Sequence, residues 1–225
     1  MTEVLLPTAE DGHRRSVVVD FDGTITEQDL LDTVAQTFGD EEVYREVDEG
    51  LDRRSLTLHD VLRREFEPVR APLEDVVAWV LEHAEVRPGF RELVERARTE
   101  GWNLVIVSSG FRELIEPVLR REGLEDVPLV SNAVEPRPEG WRVHFRDEDT
   151  CGTCGEPCKR ATVEELAGDG EVVYVGDGYS DRCGAELADR VFARRGLARW
   201  LEERGRPFVH FEDFHDVLRG LNGAR

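Results

Sequence analysis

The sequence contains almost no lysine and has a large deficit of positive charge. Lys159 is the single lysine among 225 residues, and 29 basic residues stand against 49 acidic ones, giving a formal net charge of −20. Proteins that bind nucleic acids in general, or anionic membrane surfaces, depend on basic patches. The charge balance therefore excludes both classes, and we expect neither a nucleic-acid partner nor a membrane partner.

Long apolar segments are also missing. No apolar run reaches the roughly 18–20 residues that a membrane-spanning helix needs. Residues 1–15 lack the basic and apolar regions of a secretion signal, which predicts a cytoplasmic location. A chain of this length buries roughly 70% of its unfolded surface, enough for one large core and a small appendage. A homodimer is compatible with the sequence, but no feature of the sequence decides the oligomeric state.

Two aspartates end a short β-branched segment near the N-terminus. Ser16–Thr24 reads Ser-Val-Val-Val-Asp-Phe-Asp-Gly-Thr, and its uncharged run predicts a buried parallel strand. Carboxylates at the end of such a strand occupy the crevice where open α/β sheets bind ligands. Because Asp20 and Asp22 would repel each other, the pair favours a site for a hard cation such as Mg²⁺. The alternative is an ordinary acidic turn in which Gly23 permits the tight bend.

A second strand end carries a similar pattern. The segment 171–181 contains an apolar run, then Gly176-Asp177-Gly178, and then Asp181. The glycines allow the backbone to approach a ligand closely. Two strands of one sheet that end in acidic turns can converge on one metal ion, so the two segments together are a stronger signal than either alone.

Lys159 is the next candidate for a functional residue. Arginine occupies every other Lys or Arg position in the chain. A lone lysine therefore suggests a site that requires a compact ammonium group rather than a planar guanidinium. The alternative is a composition bias that happened to leave one lysine.

The remaining pattern predicts a parallel sheet interrupted by helices. Residues 27–85 contain helical patterns and no convincing strand, with breaks at Gly39, Gly50 and Pro68. From residue 86 onward strands and helices alternate, and residues 133–145 are predicted to form a hairpin. We therefore predict an α/β fold, with a Rossmann-like parallel sheet and a small helical domain inserted after the first strand. The predicted helices are Asp29–Phe38, Glu41–Glu49, Leu58–Phe66, Leu73–Ala84, Phe90–Glu100 and Phe111–Glu122, and the strands that follow the first are Leu104–Val107, Val127–Ser131 and Val172–Val175.

Four segments are similar, in this order, to the four motifs of the haloacid dehalogenase (HAD) superfamily. The segments are Asp20-Phe21-Asp22-Gly23-Thr24, the strand Asn103–Gly110 that ends near Ser108, Lys159, and Gly176–Asp181. The resemblance extends from about Val17 to about Arg194. It implies a core of residues 1–26 and 86–225, with a helical cap of residues 27–85 above the end of the first strand.

This resemblance implies a Mg²⁺-dependent phosphomonoesterase for a small phosphorylated metabolite. Asp20 would attack phosphorus and become an aspartyl-phosphate, which divides one difficult displacement into two easier ones. Asp22 would protonate the leaving alkoxide and then take a proton from the attacking water. HAD dehalogenases expel halide and lack the second aspartate, so Asp22 favours phosphoryl transfer.

The resemblance also implies how the metal ion and the phosphate would be held. The Mg²⁺ ligands would be Asp20, the backbone carbonyl of Asp22, and Asp177, while Asp181 would orient a bound water or Lys159. Fixed donors to the phosphoryl oxygens lower the barrier. The expected donors are the Ser108 hydroxyl, Lys159 and the N–H groups of Phe21, Gly23, Ser109 and Gly110. Relatives that read Ser-Gly-Gly in the second motif have the serine first, which favours Ser108 over Ser109.

Three of the four cysteines lie just before the lysine. They form Cys151-Gly-Thr-Cys154-Gly-Glu-Pro-Cys158, and Cys183 follows Asp181. A structural Zn²⁺ site, a disulfide and free thiols are the three alternatives. Zinc normally has four Cys or His ligands, so His144 or Cys183 would have to complete such a site. Free or reversibly oxidised thiols fit a cytoplasmic protein better.

The cysteine run and Val191–Arg194 also resemble the methionine-salvage phosphatases that act on 2-hydroxy-3-keto-5-methylthiopentenyl-1-phosphate. The phosphoethanolamine/phosphocholine phosphatases have a similar run of cysteines before the lysine. Phosphoserine phosphatases share the cap type, but they normally have a glutamate where Asp29 stands, which argues against serine phosphate. By analogy Asp29 and Arg64 would face the substrate from the cap, and a solvated helix face is the alternative for Arg64.

Two further hypotheses concern the activity itself. A phosphotransferase would pass the phosphoryl group to an alcohol with the same residues. A catalytically silent acidic binding module on this fold would be expected to have a damaged motif, and none of the four is damaged. Because the cap and not the motifs would select the substrate, the sequence predicts the chemistry better than the substrate.

Overall fold

A computed structural model describes residues 15–53, 55–146, 150–167 and 170–222. Within these ranges the chain forms one seven-stranded sheet with helices on both of its faces. The strands are β1 (Arg15–Val19), β2 (Asn103–Phe111), β3 (Leu129–Glu135), β4 (Arg142–His144), β5 (Glu171–Gly176), β6 (Arg190–Ala193) and β7 (Val209–His210).

The sheet has the strand order β4-β3-β2-β1-β5-β6-β7. All neighbouring strands are parallel except β3 and β4, which are antiparallel. The chain builds outward from β1 first on one side and then on the other, which creates a crevice at the carboxyl ends of β1, β2 and β5. This architecture confirms the predicted α/β fold with a mostly parallel sheet.

The alternation of valines in β1 divides the protein into two packing layers. Val17 and Val19 face one layer of helices, and Val18 faces the other. Both faces of a parallel sheet are covered in this way, which explains why the strand has no polar alternation. The helices that follow residue 85 are α5 (Phe90–Glu100), α6 (Arg112–Arg121), α7 (Arg160–Leu166), α8 (Arg182–Ala185), α9 (Arg195–Glu203) and α10 (Phe214–Asn222), and four of the described helices precede them.

Four helices lie within residues 27–85, the segment predicted to be helical. They are α1 (Leu30–Phe38), α2 (Glu41–Asp52), α3 (Leu58–Phe66) and α4 (Leu73–His83). Asp29 and Asp40 cap the first two by accepting backbone N–H bonds, and Thr57 begins α3 with a capping box. These short polar residues fix the helix starts. The assignment of residues 27–85 as a cap domain stays a prediction.

The region around β3 differs from the prediction. The predicted hairpin at 133–145 is present as the antiparallel pair of β3 and β4, in which Ala133 pairs with His144. The predicted strand at 127–131 does not end before this hairpin, because β3 is one continuous strand that also pairs with β2. The buried Asn132 lies in the middle of β3, and its amide donates to Ser109 O at 2.8 Å. This tertiary partner stabilises a polar residue that reads locally as a strand boundary.

None of the described helices is long and apolar enough to cross a bilayer.

Candidate active site

Asp20 lies at the end of β1, where the chain turns away from the sheet. Its backbone N–H donates to Val175 O at 2.9 Å, so the strand end is fixed beside β5. Gly23 has a φ of +71°, in the left-handed region that favours glycine. A Cβ atom at Gly23 would lie 2.5 Å from Asp177 Oδ2, so the turn and the acidic strand end are in direct contact.

The guanidinium of Arg87 stabilises this turn through hydrogen bonds to its carbonyl groups. Its side chain is 3% exposed and donates to the carbonyl oxygens of Thr24 at 2.9 Å, Thr26 at 3.1 Å and Gly23 at 3.2 Å. It also pairs with Glu27 Oε2 at 2.5 Å. One buried guanidinium therefore satisfies the carbonyl groups of a turn that no regular helix or strand would satisfy.

Lys159 connects the segments that follow β1 and β5. Its ammonium group donates to Asp20 Oδ1 and, at 2.6 Å, to Asp181 Oδ1. Tyr174 OH donates to the same Asp181 oxygen at 2.8 Å. The other Asp181 oxygen accepts from the N–H groups of Asp177 at 3.0 Å and Gly178 at 2.9 Å. The buried Asp181 carboxylate is thus held by four donors, which orients Lys159 toward Asp20.

Burial and mutual repulsion govern the ionisation of this cluster. Burial, followed by the charge of Asp181, raises the pKa of Asp20 well above its usual range, although Lys159 opposes the shift. The same two causes raise the pKa of Asp177 to about 6. Burial would lower the pKa of Lys159, but the charges of Asp181 and Asp20 outweigh it and the pKa rises. The cluster has more negative charge than Lys159 balances, an arrangement that a bound cation would stabilise.

The carboxylates fit a hard divalent ion. Three carboxylate oxygens lie within 4.8 Å of one another, one each from Asp20, Asp177 and Asp181. Carboxylate oxygens are the ligands that Mg²⁺ prefers. Asp181 is a third nearby carboxylate, and each of its oxygens already accepts two hydrogen bonds within the chain. Thr24 Oγ1 donates to Asp177 Oδ1 at 3.2 Å and orients it.

Asp22 lies on the other side of the turn, beside the end of β2. Its carboxylate accepts from Leu31 N at 3.2 Å and from Ser108 Oγ at 3.3 Å. Burial and then the charge of Asp29 raise the pKa of Asp22 to about 7. This places a group that can hold or release a proton next to Asp20.

A cavity of about 210 Å³ opens above these residues. Its floor includes Asp20, Asp22, Ser109, Gly110 and Asp177. The helical segment contributes a second wall, which combines apolar residues with the acidic residues Asp29, Asp32 and Glu65. The apolar residues of that wall are Leu31, Leu51, Leu58, Val61 and Leu62.

The sequence profile of the haloacid dehalogenase-like hydrolases matches residues 17–186, which include this whole constellation. The chain belongs to this family. A protein of Brevibacillus brevis named 2-hydroxy-3-keto-5-methylthiopentenyl-1-phosphate phosphatase is 32% identical over 207 residues, covering 90% of this chain and 92% of that protein. The polyol phosphate phosphatase PYP1 of Saccharomyces cerevisiae is 28% identical over 220 residues, 91% of each chain.

Solved structures agree on the fold. A phosphoserine phosphatase from T. onnurineus superimposes with a TM-score of 0.69 at 22% identity, over 95% of this chain and 96% of the other. A phospho-aspartyl intermediate analogue of phosphoserine phosphatase gives 0.71 at 19% identity, over 92% and 98%. With family and fold in agreement, this HAD hydrolase is a phosphoric monoester hydrolase. The hypothesis of a silent binding module is not supported.

Several predicted site residues of the HAD hydrolase lie together, but two of the backbone N–H groups expected to donate to phosphate donate to other atoms of the chain. The N–H of Gly23 donates to Gln28 O at 3.0 Å, and that of Gly110 donates to Ser108 Oγ at 2.8 Å. These two predicted phosphate donors therefore already have partners within the chain. Ser108 is fully buried, whereas Ser109 lines the cavity.

Of the two residues of the helical segment that are expected to face the substrate, one lines the cavity and the other does not. Asp29 lines the cavity and also caps α1, its carboxylate accepting from Asp32 N at 2.9 Å. Arg64 is not among the residues that line the cavity; its side chain is 47% exposed and pairs with Glu46 at 3.2 Å. The alternative of a solvated helix face therefore describes the position of Arg64 better.

Sequence reasoning missed three residues that support the site. Arg87 and Tyr174 have no local signal, because one reads as a loop residue and the other as an ordinary strand residue. Arg146 donates to Ser108 O at 3.0 Å and to Cys158 O at 3.3 Å, which joins the second and third motif segments. Contacts with residues distant in sequence identify Arg87 and Arg146, and the hydrogen bond to Asp181, seven residues further on, identifies Tyr174.

Proposed function

We propose that this hydrolase is a Mg²⁺-dependent phosphomonoesterase that forms an aspartyl-phosphate on Asp20. The observation that carries the proposal is the convergence of Asp20, Asp177 and Asp181 oxygens within 4.8 Å, with the ammonium of Lys159 bonded to two of these carboxylates. When bound by these carboxylates, Mg²⁺ would neutralise charge on the transferring phosphoryl group.

The chain's own residues account for the two displacements. A carboxylate oxygen of Asp20 bonds to phosphorus as the phosphorus–oxygen bond to the leaving group breaks, and Asp22 gives its proton to that leaving oxygen. Water then attacks the phosphorus of the aspartyl-phosphate, Asp22 takes a proton from it, and Asp20 is released. Lys159 and the N–H groups of Phe21 and Ser109 are the proposed donors to the phosphoryl oxygens.

The cavity supports a substrate with an uncharged, partly apolar body. Among the residues that the structure describes, its lining includes no lysine, arginine or histidine. The carboxylate of a phosphoserine would therefore meet acidic neighbours with no lining cation. The apolar wall suits a thioether chain, and we propose 2-hydroxy-3-keto-5-methylthiopentenyl-1-phosphate as the leading substrate.

A second candidate substrate class has a cationic head group. Asp29, Asp32 and Glu65 all line the cavity. Carboxylates in that position would attract the ammonium of phosphoethanolamine or phosphocholine. A phosphotransferase would use the same core residues as either hydrolase, and only the acceptor would differ.

The decisive experiment measures phosphate release from a panel of phosphorylated metabolites by the wild type and by the Asp20→Asn variant. The wild type should release phosphate, lose the activity in EDTA and regain it on addition of Mg²⁺. Asp20→Asn should lose turnover by more than about 10³-fold while keeping a cooperative urea unfolding transition, which shows that the variant is folded. The exposed Asp75→Asn change on α4 is the matched control and should retain full activity. Full turnover by Asp20→Asn would exclude the covalent route.

Product analysis separates the remaining alternatives. With an added alcohol, a hydrolase yields free phosphate, and a phosphotransferase yields the alcohol's phosphate ester. The ratio of rates for the thioether, phosphoethanolamine and phosphoserine substrates distinguishes the three substrate classes. The cytoplasmic location and the homodimer stay predictions, and size-exclusion chromatography with light scattering would test the latter.

A further inference from the structure

The four cysteines converge beside the phosphatase site, although they are spread over 33 positions of sequence numbering, from 151 to 183. The Sγ atoms of Cys151, Cys154, Cys158 and Cys183 all lie within 4.8 Å of one another, and the Cys151–Cys183 distance is 3.9 Å. In a tetrahedral site with Zn–S bonds of about 2.3 Å, the sulfur atoms are about 3.8 Å apart. We infer that these four side chains bind a structural Zn²⁺ ion.

The first two cysteines lie on a turn built to present sulfur atoms. Thr153 N donates to Cys151 Sγ at 3.4 Å, and Gly155 N donates to Cys151 O at 2.8 Å. Gly155 has a φ of +72°, which closes the turn after Cys154. Backbone N–H groups directed at sulfur stabilise thiolates, the form that binds metal ions.

A positive side chain lies close enough to the cysteines to compensate the negative charge of a zinc–thiolate site. A zinc ion with four thiolates carries a net charge of about −2. Arg160 Nη1 lies 3.9 Å from Cys183 Sγ and supplies a nearby positive charge. His144, the other expected fourth ligand, instead contacts Glu135 Oε2 at 3.1 Å. Cys183 therefore completes the set, and four protein ligands leave no open position for catalysis.

The geometry argues against disulfides. A disulfide needs a sulfur–sulfur bond of about 2.05 Å, whereas Cys151 and Cys183 are 3.9 Å apart and all four cysteines are free. Two disulfides would also divide the sulfurs into two close pairs, but here each sulfur is near the other three. A compact set of four soft ligands selects zinc over the hard Mg²⁺ proposed for the carboxylates.

The position of this cluster gives it a structural consequence for the active site. Cys158 is directly before Lys159, and Cys183 is two residues after Asp181. Binding one ion would therefore fix the two segments whose side chains meet in the 2.6 Å contact between Lys159 and Asp181. Zinc would act as a positioning element here, without contact with the substrate.

Metal analysis of the full-length protein tests the inference. Protein purified without chelators should contain about one zinc per chain by mass spectrometry of the metals, and its four thiols should react with a thiol reagent only after a zinc chelator is added. Cys154→Ser, at the exposed cysteine, should lower the zinc content at least about tenfold. Thr153→Ala changes the same loop without removing a ligand and should keep the full zinc content.

A second measurement on the wild type does not depend on the variant being folded. Protein stripped of metal and given Co²⁺ alone should show the intense sulfur-to-cobalt absorption of a tetrahedral thiolate site. Four freely reactive thiols without zinc, two disulfides detected by intact mass, or iron in place of zinc would each overturn the inference. Activity that is lost in EDTA and restored by Mg²⁺ alone reports on the carboxylate site, whereas the zinc content and the cobalt spectrum report on the cysteines, so the two proposals fail independently.

Discussion

The ammonium of Lys159 lies 2.6 Å from the carboxylate of Asp181, and both side chains are completely buried. The same ammonium contacts Asp20. A buried lysine between two buried carboxylates is costly to break, because the remaining charges have no water to solvate them. The stability of this core and its proposed chemistry thus depend on the same three residues.

Replacing Lys159 should therefore affect folding as well as turnover. We expect Lys159→Met to lower the free energy of unfolding by about 3–5 kcal/mol, because it leaves Asp20 and Asp181 unpaired. Urea unfolding measures the loss. Adding Asp181→Asn to that variant should recover part of the stability, since it removes one of the unpaired charges. A loss below about 1 kcal/mol, typical of an exposed ion pair, would contradict the burial of this pair.

The hydroxyl of Tyr174 is predicted to stabilise the charged form of Asp181. Tyr174→Phe removes a 2.8 Å hydrogen bond to that carboxylate in a fully buried position. A bond to a charged group contributes about 1.5–3 kcal/mol, and urea unfolding should show a loss in this range. Tyr44→Phe is the matched control, because its 2.5 Å bond to Asp32 is only partly buried and water can replace it. Equal losses in the two variants would refute the special role of Tyr174.

Gly110 should be sensitive to the addition of a single methyl group. A Cβ atom there would lie 2.7 Å from Asp22 Oδ2 and 3.1 Å from Ser108 Oγ. Gly110→Ala should push the Asp22 carboxylate aside and lower kcat about 10²-fold, with a smaller effect on stability. Gly152→Ala, where the new atom has no neighbour within 4 Å, should retain wild-type kcat. Steady-state kinetics on both variants decides whether the position of Asp22 matters.

Arg87 is predicted to be essential to the turn after β1. Arg87→Met leaves the carbonyl groups of Gly23, Thr24 and Thr26 without a donor. The unfolding free energy should fall by at least about 3 kcal/mol, since each buried unsatisfied group costs about 1–3 kcal/mol. Arg45→Met, on the exposed face of α2, should change it by less than about 0.5 kcal/mol. Parallel urea titrations provide the comparison, and equal effects would show that the Arg87 bonds contribute little.

Local pattern was sufficient for most of the fold. The uncharged valine runs predict β1 and β5, and the four helices of residues 27–85 lie close to their predicted bounds. Short polar caps begin the first three of these helices, and Pro72 precedes the fourth. The errors fall where a polar residue is stabilised by distant partners. Asn132 continues β3 instead of ending it, and β7 is too short to produce a periodic signal.

The site could be predicted as a set of residues but not as a set of contacts. Asp20, Asp22, Lys159, Asp177 and Asp181 were identified from strand ends, glycines and one unusual lysine. For Arg64 the sequence leaves both a substrate contact and a solvated helix face open, because a helix surface gives no indication of which side faces the cavity until the helices pack.

The sequence by itself determined the α/β class and the two acidic strand ends, and it singled out Lys159 as a candidate site residue. These conclusions depend only on local periodicity and residue chemistry. Only the tertiary structure decided that Arg87 supports the Asp20 turn, that two predicted phosphate donors already have partners, and that four cysteines surround one point. Those relationships join segments that are far apart in sequence, and their distances depend on packing of the whole sheet, which no local pattern encodes.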